Sequence, residues 1–319
     1  MKKIALLTSG GDAPGMNAAI RAVVRTAIYY DLEVLGVRRG YTGLIEKDFI
    51  KMSLGSVADI IQRGGTVLLT ARCDEFLTPA GRQKALGHLR EEEVDGLVAI
   101  GGDGTFRGAL ELDKLGMPTI CIPGTIDNDI PCTAATIGYD TVVNTVVDSI
   151  NKIRDTATSH ERIFVIEVMG RRSGFIALEA GLAGGAESII IPEVPLNVDA
   201  VVKNIKRGNR RGKKHSIIIV AEGAADAMEL TKEISEKSGL ETRLSILGYI
   251  QRGGTPTAQD RLLASRMGAE AVNLLLRGER KKMVALDGQL IRSFDIDWAI
   301  NQSKSINLDD YRLAGILSI

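Results

Sequence analysis

Short runs of valine, isoleucine and leucine alternate along this chain with longer segments of helical spacing. The runs cover 3–8, 33–37, 95–100, 118–122, 162–168, 187–192, 216–222 and 242–247. The helical segments cover 16–30, 105–115, 139–157, 173–184, 197–210, 227–238 and 257–276. Most runs are apolar almost throughout rather than at every second position. Such strands are buried on both faces, as in parallel sheets covered by helices. The order strand, glycine-rich turn, helix, strand therefore predicts an α/β fold, doubly wound, its mostly parallel sheets sandwiched by helices. A chain of 319 residues is long for one core and suits two lobes. The break is expected near 138–139, where a long helix begins, with the C-terminal stretch supporting both lobes: 1–138 with about 256–303, and 139–255 with about 304–319. Ligands of such folds bind beyond the carboxyl ends of the strands, so chemistry is sought there.

Charge and composition narrow the partners. Lysine plus arginine and aspartate plus glutamate both number 40, so bulk charge favours neither nucleic acid nor an anionic membrane. No apolar run approaches the ~18 residues that cross a bilayer. The opening MKKIALLTSGGD reads as a first strand rather than a leader, which makes the cytoplasm the expected compartment. Cys73, Cys121 and Cys132 lack metal-ligand spacing, and His88, His160 and His215 are scattered. A metal here should be a hard cation held by oxygen, such as Mg²⁺.

The strand ends carry the polar residues. Ser9-Gly10-Gly11-Asp12 ends the first run, where glycines let backbone N–H groups approach an anion at a helix start. A tight strand-to-helix turn needs the same glycines. Gly101-Gly102-Asp103-Gly104-Thr105 repeats the pattern and adds a hydroxyl, which suits a phosphate with Asp103 holding Mg²⁺ directly or through water. Asp103 as a simple N-cap is the alternative. The segment ICIPGTIDNDIP, 120–131, sets Asp127 and Asp129 within three residues and holds them between prolines. Two fixed carboxylates suit a proton to take or a cation to hold, although a polar helix-capping loop would also use them. Arg171 follows Met169-Gly170, Glu222 ends a run, Arg162 and Arg243 begin runs, and Arg252 sits in a glycine-flanked turn. Arginines beside glycine turns read as clamps for an anionic substrate.

Together TSGGDAPGMNAAIR, GGDGT, PGTIDNDI, RDTATSHER, VMGR, GKKH and QRGGTPTAQDR resemble the bacterial ATP-dependent 6-phosphofructokinase family, from residue 1 to about 275. The resemblance implies phosphoryl transfer from MgATP to the 1-hydroxyl of fructose 6-phosphate, with a nucleotide-binding first lobe and a sugar-phosphate-binding second lobe. By motif position it implies Asp127 as the base, Asp103 organising Mg²⁺ and Asp129 in support. Gly11, Arg72, Cys73 and Gly102 to Thr105 would line the nucleotide, Gly104 among them. Thr125 and Arg171 would steady the moving phosphoryl, and Met169, Gly170, Glu222, Tyr249 and Arg252 would hold the sugar phosphate. Arg162 and Arg243 would do so from a neighbouring subunit of a homotetramer.

The same resemblance implies an effector site for ADP or phosphoenolpyruvate, made by Arg21, Arg25, Arg154, Gly185, Glu187, Arg211, Lys213 and His215, with Glu187 holding a second Mg²⁺. Tyr249 departs from the family's usual histidine and offers only a neutral O–H. Weaker affinity for the sugar 6-phosphate is expected from it. Pyrophosphate-using relatives carry an acid where this chain has Gly104 and a lysine where it has Gly124, so the two glycines favour ATP. Another GGDGT-type kinase would leave VMGR and QRGG unexplained. A non-catalytic metabolite sensor would be expected to have lost Asp103 or Asp127, and both are present.

Overall fold

The structure, a computed structural model, describes residues 1–318. It divides into two units. The first comprises Met1–Ile126, Ile130–Thr141 and Arg252–Lys304, and the second Asp127–Asp129, Val142–Gln251 and Ser305–Ile319.

The first unit is built on a sheet of seven strands: β1 (Lys3–Thr8), β2 (Glu33–Val37), β3 (Phe49–Met52), β4 (Gly96–Gly101), β5 (Thr119–Pro123), β10 (Lys282–Asp287) and β11 (Leu290–Asp295). Their order is β11-β10-β5-β4-β1-β2-β3, parallel except for the edge strands β3 and β11. β4 is buried at every residue, which is why its sequence shows no alternation. Ala5, Leu7, Leu97, Ala99 and Cys121 face one core with α2 (Tyr41–Glu46), α3 (Pro79–Glu91), α4 (Asp103–Lys114) and α10 (Ile296–Ala299). On the sheet's other face α1 (Met16–Tyr29) packs along α9 (Ala258–Leu276), which also touches β4, β5 and β10. From β1 the chain winds to β2 on one side and later to β4 on the other. The topological switch therefore falls between β1 and β4, the two strands that end in Gly-Gly-Asp.

The second unit has a fully parallel four-stranded sheet of β6 (Ile163–Val168), β7 (Ser188–Ile190), β8 (Ser216–Ala221) and β9 (Thr242–Ile246), ordered β7-β8-β6-β9. Ile218 and Val220 of β8 face α7 (Val198–Arg210) and α8 (Ala227–Ser238). Ile219 faces α6 (Phe175–Ala183), against which α11 (Leu308–Leu317) packs. Because β6, β8 and β9 run the same way, their carboxyl ends gather at one edge. The long helix α5 runs over Tyr139–His160.

All eight expected strands form, and the fold is α/β with parallel sheets flanked by helices. The structure adds β3, β10, β11, α2, α3, α10 and α11, which the alternation of apolar runs does not reveal.

Asp260 fixes the start of α5. It is 1 % exposed and accepts from the Gly138 and Thr141 N–H groups, each at 2.8 Å, and from the Thr141 hydroxyl at 2.5 Å. Burial pushes its carboxyl above the usual range, and the three donors offset only part of that rise. Asp260→Asn keeps the shape but turns an amide N–H₂ toward donors. The variant is expected to lose about 2–3 kcal/mol of stability, read as a lower urea midpoint for unfolding.

Candidate active-site residues

In the first unit the ends of β1 and β4 meet. The Ser9 N–H donates to the Ile100 carbonyl at 3.0 Å, and the Thr105 hydroxyl donates to the Ser9 carbonyl at 3.1 Å. Thr105 is buried, so its hydroxyl braces the two turns together. The loop carrying Arg72 and Cys73 is tied to the same place by the Thr70 hydroxyl, which donates to the Gly10 carbonyl at 2.7 Å. A Cβ at Gly11 would lie 3.4 Å from the Arg252 guanidinium carbon, so Arg252 stands directly over that turn. The structure thus brings Gly11, Thr105 and Arg252 together, with the 70–73 loop beside them.

Asp103 is the first residue of α4, not its cap. The cap is Gly102, which has no side chain of its own to cap the first-turn amides. The first-turn N–H groups and the helix dipole favour an anion at this end. The Asp103 carboxylate is half-exposed and pairs with Arg107 one turn on, at 3.0 Å. Arg107 is the counter-ion of Asp103. The neighbouring end of β5 joins in: the Gly124 N–H donates to the Gly101 carbonyl at 3.0 Å, and Thr125 approaches Gly102.

In the second unit Asp127 is 7 % exposed, and its carboxylate lies 3.9 Å from the Arg171 guanidinium. Asn128 follows in a left-handed conformation, φ 51°. Four contacts shape the turn after β6. The Arg171 N–H donates to the Glu222 carboxylate at 2.7 Å, and the Ser173 N–H to the Gly170 carbonyl at 2.9 Å. The buried Ser173 hydroxyl lies 3.0 Å from that carbonyl and 3.3 Å from the carbonyl of Asp127. Ser173 therefore links the backbone of Asp127 to the turn that presents Arg171. Glu167 stands behind Glu222, its carboxyl pushed up by burial and by the charges of Glu222 and Asp226.

Arg162 and Arg243 lie elsewhere. They flank the amino ends of β6 and β9, opposite the end that carries Met169–Arg171. Both pair with Glu241, Arg162 at 2.9 Å, and the two guanidiniums hold that carboxyl below its usual range. Tyr249 is 79 % exposed at the carboxyl end of β9.

A separate cation cluster surrounds Glu187, which is 8 % exposed. Its carboxylate accepts from Lys213 and from the Ile217 N–H at 2.5 Å, and Arg154 lies 3.8 Å away. Arg154 also donates to the carbonyls of Gly184, at 2.5 Å, and Gly185, at 3.0 Å. His215 is pushed down, first by burial and then by Lys213 and Arg154, with Glu187 opposing. Arg154, Gly185, Glu187, Lys213 and His215 are thus one group. Arg211 caps the exposed end of α7, and Arg21 and Arg25 share a face of α1 in the first unit.

Two residues were missed by sequence reasoning although they stand in or next to the motifs. Ser173 follows VMGRR and Gln251 opens QRGG. The only signal was a small or amide side chain amid glycines, overshadowed by the adjacent arginines.

A doubly wound sheet with two Gly-Gly-Asp turns at its switch point in one unit, and in the other a parallel sheet whose strand ends carry arginine and acids, defines an α/β protein of the kind that handles phosphate groups. The family described as phosphofructokinase matches residues 3–275, and the chain belongs to it. A protein of Halothermothrix orenii described as an ATP-dependent 6-phosphofructokinase is 61% identical over 332 residues, covering the whole of both chains. A solved phosphofructokinase from Saccharomyces cerevisiae matches all of this chain with a TM-score of 0.90 at 36% identity, and this chain spans 48% of its length. A pyrophosphate-dependent phosphofructokinase from Marinobacter aquaeolei shares the fold, with a TM-score of 0.87 at 23% identity over 97% of this chain and 86% of that one.

Gly223 leaves room for the Arg171 turn. A Cβ there would lie 2.0 Å from the Arg171 carbonyl oxygen, inside any tolerable contact. Gly223→Ala is expected to displace Arg171 and cut turnover by roughly a hundredfold, while the far-ultraviolet circular dichroism stays that of wild type.

Proposed function

We propose that the chain transfers the terminal phosphoryl group of MgATP to the 1-hydroxyl of fructose 6-phosphate, giving fructose 1,6-bisphosphate and ADP. The observation that carries this reading is the nearly buried Asp127 carboxylate facing Arg171 on a turn that Ser173 and Glu222 hold in place. The full-length likeness to a protein described as ATP-dependent supports it.

Phosphoryl transfer passes through a loose transition state, so positioning and charge neutralisation carry most of the catalysis. Asp127 takes the proton of the attacking hydroxyl. It need not be strongly basic, but it must be fixed within hydrogen-bond reach. Arg171 neutralises charge on the moving phosphoryl group, and Thr125 donates to it. Gly11, Arg72, Cys73 and Gly102 to Thr105 line the nucleotide on the first unit. Met169, Gly170, Glu222, Tyr249 and Arg252 hold the sugar phosphate, with Arg162 and Arg243 serving a neighbouring subunit of a homotetramer. That would require both arginines to exchange Glu241 for a phosphate.

Asp103 would hold Mg²⁺, with Asp129 in support. A partly exposed carboxylate at a helix start fits, because Mg²⁺ commonly takes one or two carboxylates and fills its shell with phosphate oxygens and water. No group of three or more His, Cys, Asp or Glu side chains forms a closed metal cage among the described residues. Mg²⁺ bound there would neutralise part of the donor's phosphate charge. Arg107 must release Asp103 as the nucleotide arrives.

Two positions support ATP over pyrophosphate as donor. A Cβ at Gly104 would meet nothing within 4 Å, so an acid there would project into the space left for a nucleotide. A Cβ at Gly124 would press on Ile100 at 3.0 Å and Met16 at 3.2 Å, so a lysine there would require the sheet's packing to give.

The effector reading rests on the cluster around Glu187. Arg154, Gly185, Lys213 and His215, with Arg21, Arg25 and Arg211, would bind ADP or phosphoenolpyruvate. Glu187 would reach a second Mg²⁺ only after Lys213 swings aside. No helix is long and apolar enough to cross a membrane among the described residues, and a cytoplasmic site without nucleic-acid partners is the accompanying proposal.

A coupled assay on fructose 6-phosphate with ATP, then with pyrophosphate, tests the reaction. ATP is expected to serve and pyrophosphate to fail. Asp127→Asn should lower kcat by about 10²–10⁴, and wild-type turnover in that variant removes Asp127 as base. Arg25→Ala should raise the half-effective concentration of ADP or phosphoenolpyruvate by roughly tenfold or more; unchanged effector curves remove Arg25 from that site.

A further inference from the structure

Gln251 is completely buried at the end of the turn Gly248–Arg252. Its Oε1 accepts from the Met169 N–H at 3.1 Å, and its Nε2 donates to the Gly248 carbonyl at 3.1 Å. The two partners fix the amide's orientation, since an N–H needs the oxygen and a carbonyl needs the nitrogen. Met169 is the first residue beyond β6 and leads into Gly170 and Arg171. Gly248 opens the turn that carries Tyr249 and leads into Arg252. One side chain therefore bolts two strand ends together inside the second unit. An aliphatic residue would fill the same space without desolvating an amide, so packing alone does not call for glutamine.

We propose that Gln251 is a positioning residue for the sugar phosphate: its amide sets the spacing between the Met169–Arg171 turn and the Gly248–Arg252 turn. This rests on the reading of those strand ends as the sugar-phosphate site. The clasp is neutral and two-sided, with one bond accepted and one donated. A side chain that can only accept breaks half of it.

Gln251→Glu separates positioning from mere structure through pH. Ionised, the glutamate still accepts from Met169 but sets a second oxygen against the Gly248 carbonyl. Burial raises the pKa of such a carboxylate. Acidification from about pH 8 to about pH 6 then restores an O–H that donates to Gly248. The KM for fructose 6-phosphate is expected to be roughly tenfold above wild type at the higher pH, with kcat less affected. The ratio to wild type should shrink at the lower pH. A ratio of one at both pH values overturns the proposal. So does a raised ratio that ignores pH and tracks a lowered Tm.

Gln251→Met, of similar size and unable to make either bond, covers the case in which the glutamate variant does not fold. A pH-independent rise in KM with kcat retained supports the proposal, and an unchanged KM overturns it. Hydrogen exchange of the Met169 amide is followed in the same proteins. Faster exchange in the variants at the higher pH supports the clasp, and wild-type protection overturns it. If wild type itself shows no saturable use of fructose 6-phosphate, the substrate reading fails, and the exchange measurement still decides the clasp.

Discussion

Two-sided burial of parallel strands governs this molecule. β4 and β8 are covered on both faces and buried at every residue, so neither offers a side chain to solvent along its length. Polar function is left to the strand ends. There the chain must turn, and turning frees backbone N–H groups, asks for glycine and admits charged side chains. The strand ends of both sheets carry the charged residues: Gly-Gly-Asp turns in the first unit, and arginine with glutamate in the second, at the carboxyl ends with Arg171 and Glu222 and at the amino ends with Arg162, Arg243 and Glu241. The fold creates the sites by excluding polar groups from everywhere else.

Around those ends, buried polar side chains act as joints. Asn17 donates to the carbonyls of Arg63, at 3.0 Å, and Gly64, at 3.1 Å, and accepts from the Val67 N–H at 2.7 Å, holding a long loop against α1. Asp260 ties α9 to the start of α5, Ser173 links the backbone of Asp127 to the Arg171 turn, and Gln251 joins two strand ends. Each satisfies backbone groups that a turn leaves without partners, and leaving such groups bare costs more than a good bond returns. Their strength is modest one by one, but they convert flexible turns into fixed ones. Catalysis by positioning depends on that fixity.

The strands most visible in the sequence were those buried on both sides, because an unbroken run such as SIIIVA leaves no other reading. Less visible were elements held by local chemistry. The β10–β11 hairpin turns on the two residues Gly288-Gln289, with Gly288 at φ 60°, a signal that lies in a dipeptide rather than in a run. α3 begins with the Thr78 cap and Pro79, and its sparse apolar face hides it from a search for periodicity. The charged site residues were legible because arginine or aspartate beside glycine is conspicuous. Gln251 and Ser173 were not, because an uncharged side chain reveals its task only through the backbone groups it meets. The alternative reading of Asp103 as a helix cap is removed by the structure, which gives that position to Gly102.

The setting of Gly124 carries a consequence for substitution there. Its Cα faces Ile100 of the central strand and Met16 of the first helix, both fully buried. Interiors packed this closely register a single added methylene. A longer side chain at that position presses on Ile100 at 3.0 Å and on the end of Met16 at 3.2 Å, so the buried layer must shift by a few tenths of an ångström to admit it. A side chain added at 124 is therefore felt in the apolar layer beneath the strand end as well as at the strand end itself.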